Sequence, residues 1–184
     1  MTPAEYIQLK AFARVDGALL ALLWVASFAC YVAGIANPLY GLLAVLLMLA
    51  TPFFVGHRLG RFRDQGRDGI ISFRRGWAYS VYVFFYAAIL LALAQYLYFA
   101  YIDRGYLLQT FTSLVSTPEA KQMLERYGLQ ESMKENLTLM GQMRPIDYAL
   151  NVLTMNVLIG IVLGLPIAAL MQRKKCKSQI VNRK

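Results

Sequence analysis

Residues 17–56 read GALLALLWVASFACYVAGIANPLYGLLAVLLMLATPFFVG, and these 40 consecutive residues contain no Asp, Glu, Lys, Arg or His. A helix needs about 20 apolar residues to cross the roughly 30 Å hydrocarbon core of a membrane, so the stretch is long enough for two crossings. The Ala-Asn-Pro sequence at residues 36–38 divides it, because Asn-Pro is typical of a turn and proline is tolerated in the first turn of a helix. We predict one membrane span at residues 15–36 and a second at 38–56.

Two further charge-free stretches follow along the chain. Residues 76–102 and 148–172 lack all five ionisable residue types over 27 and 25 residues, respectively. Each is therefore long enough for one more crossing, and we predict spans at 76–102 and 148–171. Backbone groups in lipid must be hydrogen-bonded within their own segment, which favours helices for such long runs. The sequence thus predicts an all-α integral membrane protein with four transmembrane helices.

The composition of the whole chain agrees with this interpretation. Its 184 residues are 58% hydrophobic and only 16% charged, and the mean hydropathy is +0.46. Soluble domains are about 45–50% apolar and about 25% charged. The composition therefore excludes an ordinary soluble domain and an intrinsically disordered chain. The length is that of a single domain, so we treat residues 1–184 as one membrane domain.

Basic residues are distributed unevenly between the two sides of the predicted bundle. Four crossings place segments 1–16, 57–75 and 173–184 on one side, with fourteen Lys and Arg against four Asp and Glu. Segment 103–147, on the other side, has five against six. Positively charged loops stay in the cytoplasm, so we expect both termini and the basic tail 173–184 to be cytoplasmic, and 103–147 to be an extracytoplasmic insert. The net charge of +9 then reflects topology rather than nucleic-acid binding.

The insert between the third and fourth spans carries helix signals. Residues 117–119 (Thr-Pro-Glu) offer an N-cap hydroxyl, a proline at the first helical position and an acidic first turn. Gly128 is a suitable stop, and a second helix is predicted at about 129–141. Its apolar stripe consists of Leu129, Met133, Leu137 and Met140. We expect a helical hairpin that lies on the membrane surface or on the mouth of the bundle; the alternative is a cap for a ligand or partner.

The predicted cytoplasmic surface is rich in arginine and lysine. We expect contact with anionic lipid or with a partner at Arg58, Arg61, Arg63, Arg67, Arg74, Arg75, Arg173, Lys174 and Lys175. Guanidinium groups pair well with phosphates, but each base beside an anionic membrane also contributes about 1 kcal/mol to simple attraction. The Gly-Lys-Ser/Thr pattern of a phosphate-binding loop is missing, so positive-inside anchoring is the favoured interpretation of these residues.

Polar residues within the spans are few. They are Gln95, Asn151, Thr154 and Asn156. Asn156, Gly160 and Gly164 lie four residues apart on one face of the last span, and small residues at this spacing let helices approach closely. We predict that this face packs inside the bundle, with a homo-oligomer contact as the alternative. No Asp, Glu, Lys or Arg lies in the middle of a predicted span, which counts against a proton- or ion-coupled transporter.

No catalytic pattern is recognisable in the sequence. The chain has one histidine, His57, and two cysteines, Cys30 and Cys176, which lie in different environments. A metal site or a Ser-His-Asp arrangement would need more of these residue types close together. Asp64 and Asp68 are interleaved with arginines, which is typical of ion pairs. We therefore predict no catalytic residues, no metal and no cofactor.

Several short motifs connect these elements to a known family. Residues 69–73 (Gly-Ile-Ile-Ser-Phe) lead into the third span, and 101–103 (Tyr-Ile-Asp) follow it. Together with the helix start at 117–119 and the final span with its basic tail, this arrangement resembles the uncharacterised Bacteroidota membrane family known as domain of unknown function 4199, over about residues 8–172. Many relatives have proline after the aspartate, where Arg104 stands here. We expect that turn to differ.

The resemblance implies a multi-pass protein of the cytoplasmic membrane of a Gram-negative bacterium, and it implies no activity. It also suggests a partner, because members are encoded near a membrane-associated family 2 glycosyltransferase. Our first hypothesis is a non-enzymatic accessory protein that anchors or assists such an enzyme acting on polyprenyl-phosphate lipids. The alternative is an oligomeric carrier of lipids or small molecules, which would depend on the polar residues of the spans. An enzyme acting on lipid head groups is a third hypothesis, and nucleic acid is not expected as a partner.

Overall fold

The computed structural model of the chain describes residues 2–66 and 68–173, which are mainly helical. The eight α-helices of this part are α1 (Pro3–Gly34), α2 (Pro38–Leu49), α3 (Thr51–Gly66), α4 (Phe73–Leu97), α5 (Tyr106–Val115), α6 (Pro118–Arg126), α7 (Gln130–Gln142) and α8 (Pro145–Met171). A π-helical turn at Tyr98–Ile102 continues α4. The strand-type pairing among the described residues is one isolated bridge between Ile71 and Arg173.

In the described part of the chain, four helical segments are long and apolar enough to cross a membrane, as the sequence predicts. They are Pro3–Gly34, Pro38–Gly66, Phe73–Ile102 and Pro145–Met171. Each is longer than the predicted span, because the helix continues through the polar residues at its ends. The first segment begins at Pro3 instead of residue 15, and the second continues to Gly66 instead of ending at residue 56. Arg, Gln and Leu are good helix formers, so much of the predicted loop after residue 56 is helical.

The turn between α1 and α2 forms as the sequence predicts. The side-chain oxygen of Asn37 accepts a hydrogen bond from the Leu39 amide at 3.0 Å, and Pro38 occupies the first position of α2. A second proline, Pro52, lies in the first turn of α3. It has no amide hydrogen to donate, and the helix is interrupted at Ala50 just before it. The second crossing segment therefore consists of two helices, α2 and α3.

Helix α4 lies at the centre of the bundle. It packs along α1 on one side and along α8 on the other, while α2 packs on α1. Helix α3 contacts α1, α4 and α8 at the end where α1 begins and α8 ends, which we call the terminal end. Helices α5, α6 and α7 lie between α4 and α8 in the chain and mark the opposite end, which we call the insert end.

Glycine allows the closest contacts between these helices. A Cβ atom added at Gly160 of α8 would lie 2.4 Å from the Cβ of Phe84 in α4, and one added at Gly164 would lie 3.1 Å from Trp77. The Gly160 and Gly164 face of α8 is therefore the face that contacts α4. Asn156 is 8% exposed, and its side chain donates to the carbonyl of Val152 in its own helix at 2.9 Å. That bond lies within α8 and not between helices.

The insert contains one helix more than the sequence indicates. Helix α6 begins after Thr117, whose hydroxyl accepts a hydrogen bond from the Ala120 amide at 3.3 Å, and Gly128 adopts a left-handed backbone with φ of 65°. Both features confirm the predicted start and stop. Helix α5 was not predicted.

Asp103 explains the start of α5. Its carboxylate accepts hydrogen bonds from the amides of Gly105 at 3.0 Å and Leu107 at 3.1 Å. Between these groups Arg104 has a left-handed backbone with φ of 45°. The ring of proline holds φ near about −65°, so the turn in this chain differs from one with proline at this position.

Candidate functional site

A buried charge cluster connects three helices near the terminal end. Asp16 of α1 is 2% exposed and forms an ion pair with Arg58 of α3. The same carboxylate accepts a hydrogen bond from the hydroxyl of Tyr79 in α4. The ring of Tyr79 stacks on Phe62, with ring centroids 4.9 Å apart. One carboxylate therefore holds α1, α3 and α4 together.

This cluster corrects the placement of Asp16 and Arg58. From the sequence, both residues are expected in the segments that flank the spans, and Arg58 is expected to contact lipid or a partner. In the structure both lie inside long helices and are paired with each other. Helical periodicity was the available signal, because Leu9, Ala13, Asp16 and Leu20 share one buried face of α1.

Two more of the predicted arginines form ion pairs within the chain. Arg63 is 7% exposed; it pairs with Asp64 at 2.7 Å and donates to the Met171 carbonyl at the end of α8 at 3.2 Å. Arg75 pairs with Glu5 at 2.6 Å, which connects the start of α4 with the start of α1. These arginines hold the terminal end of the bundle together.

The remaining predicted positions divide into exposed residues and residues outside the described ranges. Arg61, Arg74 and Arg173 are exposed, as is Arg14, which was not predicted as a contact. In residues 2–66 and 68–173 these four side chains have no ion-pair partner at 4.0 Å or less. Arg67, Lys174 and Lys175, and with them most of the basic tail, lie outside the described residues. Among the described residues, the exposed arginines at this end are therefore Arg14, Arg61, Arg74 and Arg173.

A groove lies between α1 and α3 beside these arginines. Its volume is about 350 Å³. Its lining includes the apolar residues Phe12 and Phe62, the paired Asp16 and Arg58, and the exposed Arg61. We call it the rim groove. It offers apolar contact together with a guanidinium group, a combination that suits an amphipathic partner segment or an anionic lipid.

An apolar cleft of about 440 Å³ lies among the crossing helices, closer to the insert end. We call it the cleft. Its walls come from α1, α2, α4 and α8, namely Trp24, Ser27, Phe28, Tyr31, Ala44, Val45, Met48, Leu91, Gln95, Asn151, Val152, Met155, Asn156 and Ile159. Gln95 is 8% exposed, and its side-chain oxygen has no hydrogen-bond partner in the described part of the chain. The sequence singled out Gln95 as a polar residue within a span but gave no indication of the cleft.

The side chains that could ligate a metal are dispersed in the described part of the chain. Within the described ranges, no three His, Cys, Asp or Glu side chains come together in a way that could hold a metal ion. His57 is exposed on α3, and Cys30 is half-buried in α1. The groups that could contact a ligand are the hydrogen-bonding and apolar side chains of the cleft and the exposed arginines of the terminal end.

Comparison with known proteins gives a family but no function. Neither the curated proteins nor the solved structures contain a match to this chain. A family described as protein of unknown function, DUF4199, matches residues 16–173, which include the Asp16 cluster, the cleft and the insert. Since the match extends over most of the sequence, the chain belongs to the DUF4199 family.

Proposed function

We propose that this chain is a non-enzymatic accessory protein of a bacterial cytoplasmic membrane, with both termini in the cytoplasm, and that its terminal end binds a second membrane protein. The observation that carries the proposal is that some arginines at this end form ion pairs within the chain, whereas others are exposed and unpaired among the described residues. Arg58, Arg63 and Arg75 pair with carboxylates of the same chain. Arg61 and Arg74 are exposed and have no ion-pair partner among the described residues.

The internal pairs give the exposed arginines a rigid support. The Arg75–Glu5 pair fixes the start of α1 against α4, and backbone hydrogen bonds of 3.1 and 3.2 Å join Ile71 to Arg173. Charged side chains on a rigid surface lose less conformational freedom on binding. Guanidinium groups also bind carboxylates and phosphates in a bidentate geometry. These features favour a docking surface for an acidic segment.

The rim groove supports the same proposal. Its apolar side chains beside Arg61 fit an amphipathic helix of a partner whose acidic side faces the arginines. The family resemblance suggests the class of partner, a family 2 glycosyltransferase acting on polyprenyl-phosphate lipids. In that arrangement this chain anchors or assists the enzyme, and the enzyme carries out the chemistry. Anionic lipids surround the contact as counterions.

Charge reversal tests the proposal. The tagged full chain is purified in mild detergent from its native host, and co-purifying proteins are quantified by mass spectrometry. We expect a stoichiometric membrane protein with the wild-type chain, and at least about a tenfold loss with Arg61→Glu/Arg74→Glu, because like charges at an interface disfavour binding. The matched control is Arg126→Glu/Lys134→Glu, which makes the same change of charge at exposed positions of the insert.

The control defines the outcomes that contradict the proposal. If the insert variant loses the partner to the same extent, the arginines of the terminal end are not the contact. A wild-type chain that purifies without any stoichiometric protein contradicts an accessory role altogether.

A second candidate function is an oligomeric carrier of lipids or small molecules, and the cleft favours it. A carrier needs an internal binding site, and the cleft is bounded by all four crossing segments. Its activity would depend on Gln95, Asn151 or Asn156 and would survive the Arg61→Glu/Arg74→Glu change. The accessory role predicts the opposite dependence, so these two sets of variants distinguish the candidates.

A further inference from the structure

We infer that the cleft binds a single-chain neutral lipid with a free hydroxyl group, that this lipid enters from the bilayer between α2 and α8, and that its hydroxyl bonds to the side chain of Gln95. This inference goes beyond the accessory role and rests on neither candidate function, because it concerns binding alone. Four observations carry it: the unpartnered amide of Gln95, the position of the opening, the absence of charge in the lining and the size of the cleft.

Among the buried polar groups that line the cleft, the side-chain oxygen of Gln95 lacks a partner in the described part of the chain. Trp24 donates to the hydroxyl of Thr51 at 2.9 Å, Ser27 donates to the Ala44 carbonyl at 2.9 Å, and Asn156 donates to the Val152 carbonyl at 2.9 Å. The side-chain oxygen of Gln95, by contrast, is buried without a hydrogen bond among the described residues. A buried polar atom without a partner is costly, and in hydrocarbon no bulk water is present to supply one.

The chemistry of an amide specifies what the occupant must offer. A glutamine side chain presents either its oxygen, an acceptor, or its nitrogen, a donor, after a half-turn about its last bond. A hydroxyl group donates and accepts, so it matches both orientations. An acyl chain alone matches neither. A hydroxyl group is therefore the simplest lipid group that matches the amide in either orientation.

The opening of the cleft faces the bilayer. Val45 and Met48 of α2 are 55% and 52% exposed, and Met155 and Ile159 of α8 are 56% and 43% exposed. Met48 lies ten residues after the start of α2, and Met155 lies ten residues after the start of α8. At about 1.5 Å per residue, each methionine is about 15 Å from the insert end of its helix. This distance places them within the roughly 30 Å hydrocarbon core. A ligand reaches this opening from the lipid phase.

The lining also restricts charge and size. No Asp, Glu, Lys, Arg or His is among the residues that line the cleft in the described structure, so an ionised head group would have no counter-charge. The volume of about 440 Å³ is at the low end of the range of about 300–1,000 Å³ for ligand pockets. A lipid with one acyl chain therefore fits this volume better than a lipid with two.

Gln95 lies at the level of the membrane where the hydroxyl group of a lipid is expected. Gln95 lies about 10 Å along α4 and its π-helical turn from Ile102, the insert end of this crossing segment. That position is near the boundary between hydrocarbon and head groups. A monoacylglycerol or a long-chain alcohol would place its hydroxyl at Gln95 and its chain along Val45, Met48 and Met155.

Photolabelling of the full chain in lipid nanodiscs tests the inference. The probe is a monoacylglycerol with a diazirine in its acyl chain, and the reference is the same molecule with both hydroxyls converted to methyl ethers. We expect the hydroxyl probe to label α4 or α8 about five- to tenfold more than the ether, the effect of one hydrogen bond on affinity. In Gln95→Leu this preference is expected to disappear, while labelling by the ether is unchanged.

A steric pair provides a second test that does not depend on Gln95. Met155→Trp fills the opening and is expected to reduce labelling by both probes. Val162→Trp is the control, because Val162 is 64% exposed on the same helix and does not line the cleft. Equal labelling by the two probes in the wild-type chain overturns the inference. So does a Gln95→Leu variant that keeps the preference, or a Met155→Trp variant that labels like Val162→Trp.

Discussion

The single carboxylate of Asp16 connects three helices of this molecule. It is 2% exposed and interacts with two helices besides its own, through Arg58 and Tyr79. A buried ion pair contributes little compared with an apolar replacement, but removing one partner leaves an uncompensated charge. The position near the terminal end, where Arg58 still reaches the surface with 18% of its side chain exposed, lowers the cost of keeping the pair.

Asp16→Ala is expected to lower the free energy of unfolding by about 3–5 kcal/mol, because Arg58 and Tyr79 lose their acceptor. Thermal unfolding in detergent, followed by tryptophan fluorescence, measures the change. Arg61→Ala is the control: its side chain is exposed and makes no ion pair in the described structure, so a shift within about 0.5 kcal/mol is expected. Equal effects of the two variants would show that the Asp16 cluster does not hold the helices together.

Replacing Gln95 is expected to have the opposite effect on stability to replacing Asp16, because the side-chain oxygen of Gln95 is buried without a partner among the described residues. Gln95→Leu removes this group with little change in volume and is expected to stabilise the lipid-depleted protein by about 1–3 kcal/mol. Thermal unfolding after exhaustive delipidation checks the prediction. A decrease in stability would mean that the amide has a partner within the protein.

At the scale of elements, the contact between α4 and α8 depends on the absence of side chains. A Cβ atom at Gly160 would lie 2.4 Å from the Cβ of Phe84, which is fixed to the backbone of α4. Gly56 of α3 has no atom within 4 Å of the same added position. The two glycines are both helical, so they form a matched pair for measuring the packing.

Gly160→Ala is expected to destabilise the fold by about 1–3 kcal/mol, since the helices must separate to admit the methyl group. Gly56→Ala is expected to be neutral or to stabilise by up to about 1 kcal/mol, because alanine favours a helix. Thermal unfolding of both variants in one detergent provides the comparison. If Gly160→Ala is as stable as Gly56→Ala, α4 and α8 are not packed this closely.

Some of the helices could be predicted from the sequence, and one could not. The four crossing segments could be predicted because hydrocarbon imposes a long charge-free run on each of them. The start of α6 at Thr117 could be predicted because an N-cap has a local signature. Helix α5 could not be predicted in this way, since Asp103 reaches its amides across Arg104 and Gly105, both in left-handed conformations.

In the whole molecule, the exposed arginines of the terminal end and the cleft lie in different regions. Arg14, Arg61, Arg74 and Arg173 are exposed at the terminal end, whereas the exposed bases of the insert are interspersed with exposed Glu side chains. The cleft lies towards the insert end. The sequence predicts the first region, because basic residues flank the spans. It does not predict the second, because the cleft arises from the way α2 packs on α1 beside α4 and α8. It also does not reveal which arginines are paired, since Asp16 and Arg58 are 42 residues apart.

In the proposed topology, the arginine-bearing terminal end faces the cytoplasm and the insert faces the opposite side of the membrane. Single cysteines at Gln65 and Ser132, which are exposed at the terminal end and on the insert, test it in a chain with Cys30→Ala and Cys176→Ser. A membrane-impermeant maleimide is applied to intact cells and to lysed cells. With this topology, we expect Ser132→Cys to be labelled in intact cells and Gln65→Cys to be labelled only after lysis. Labelling of Gln65→Cys in intact cells, with Ser132→Cys protected, would contradict it.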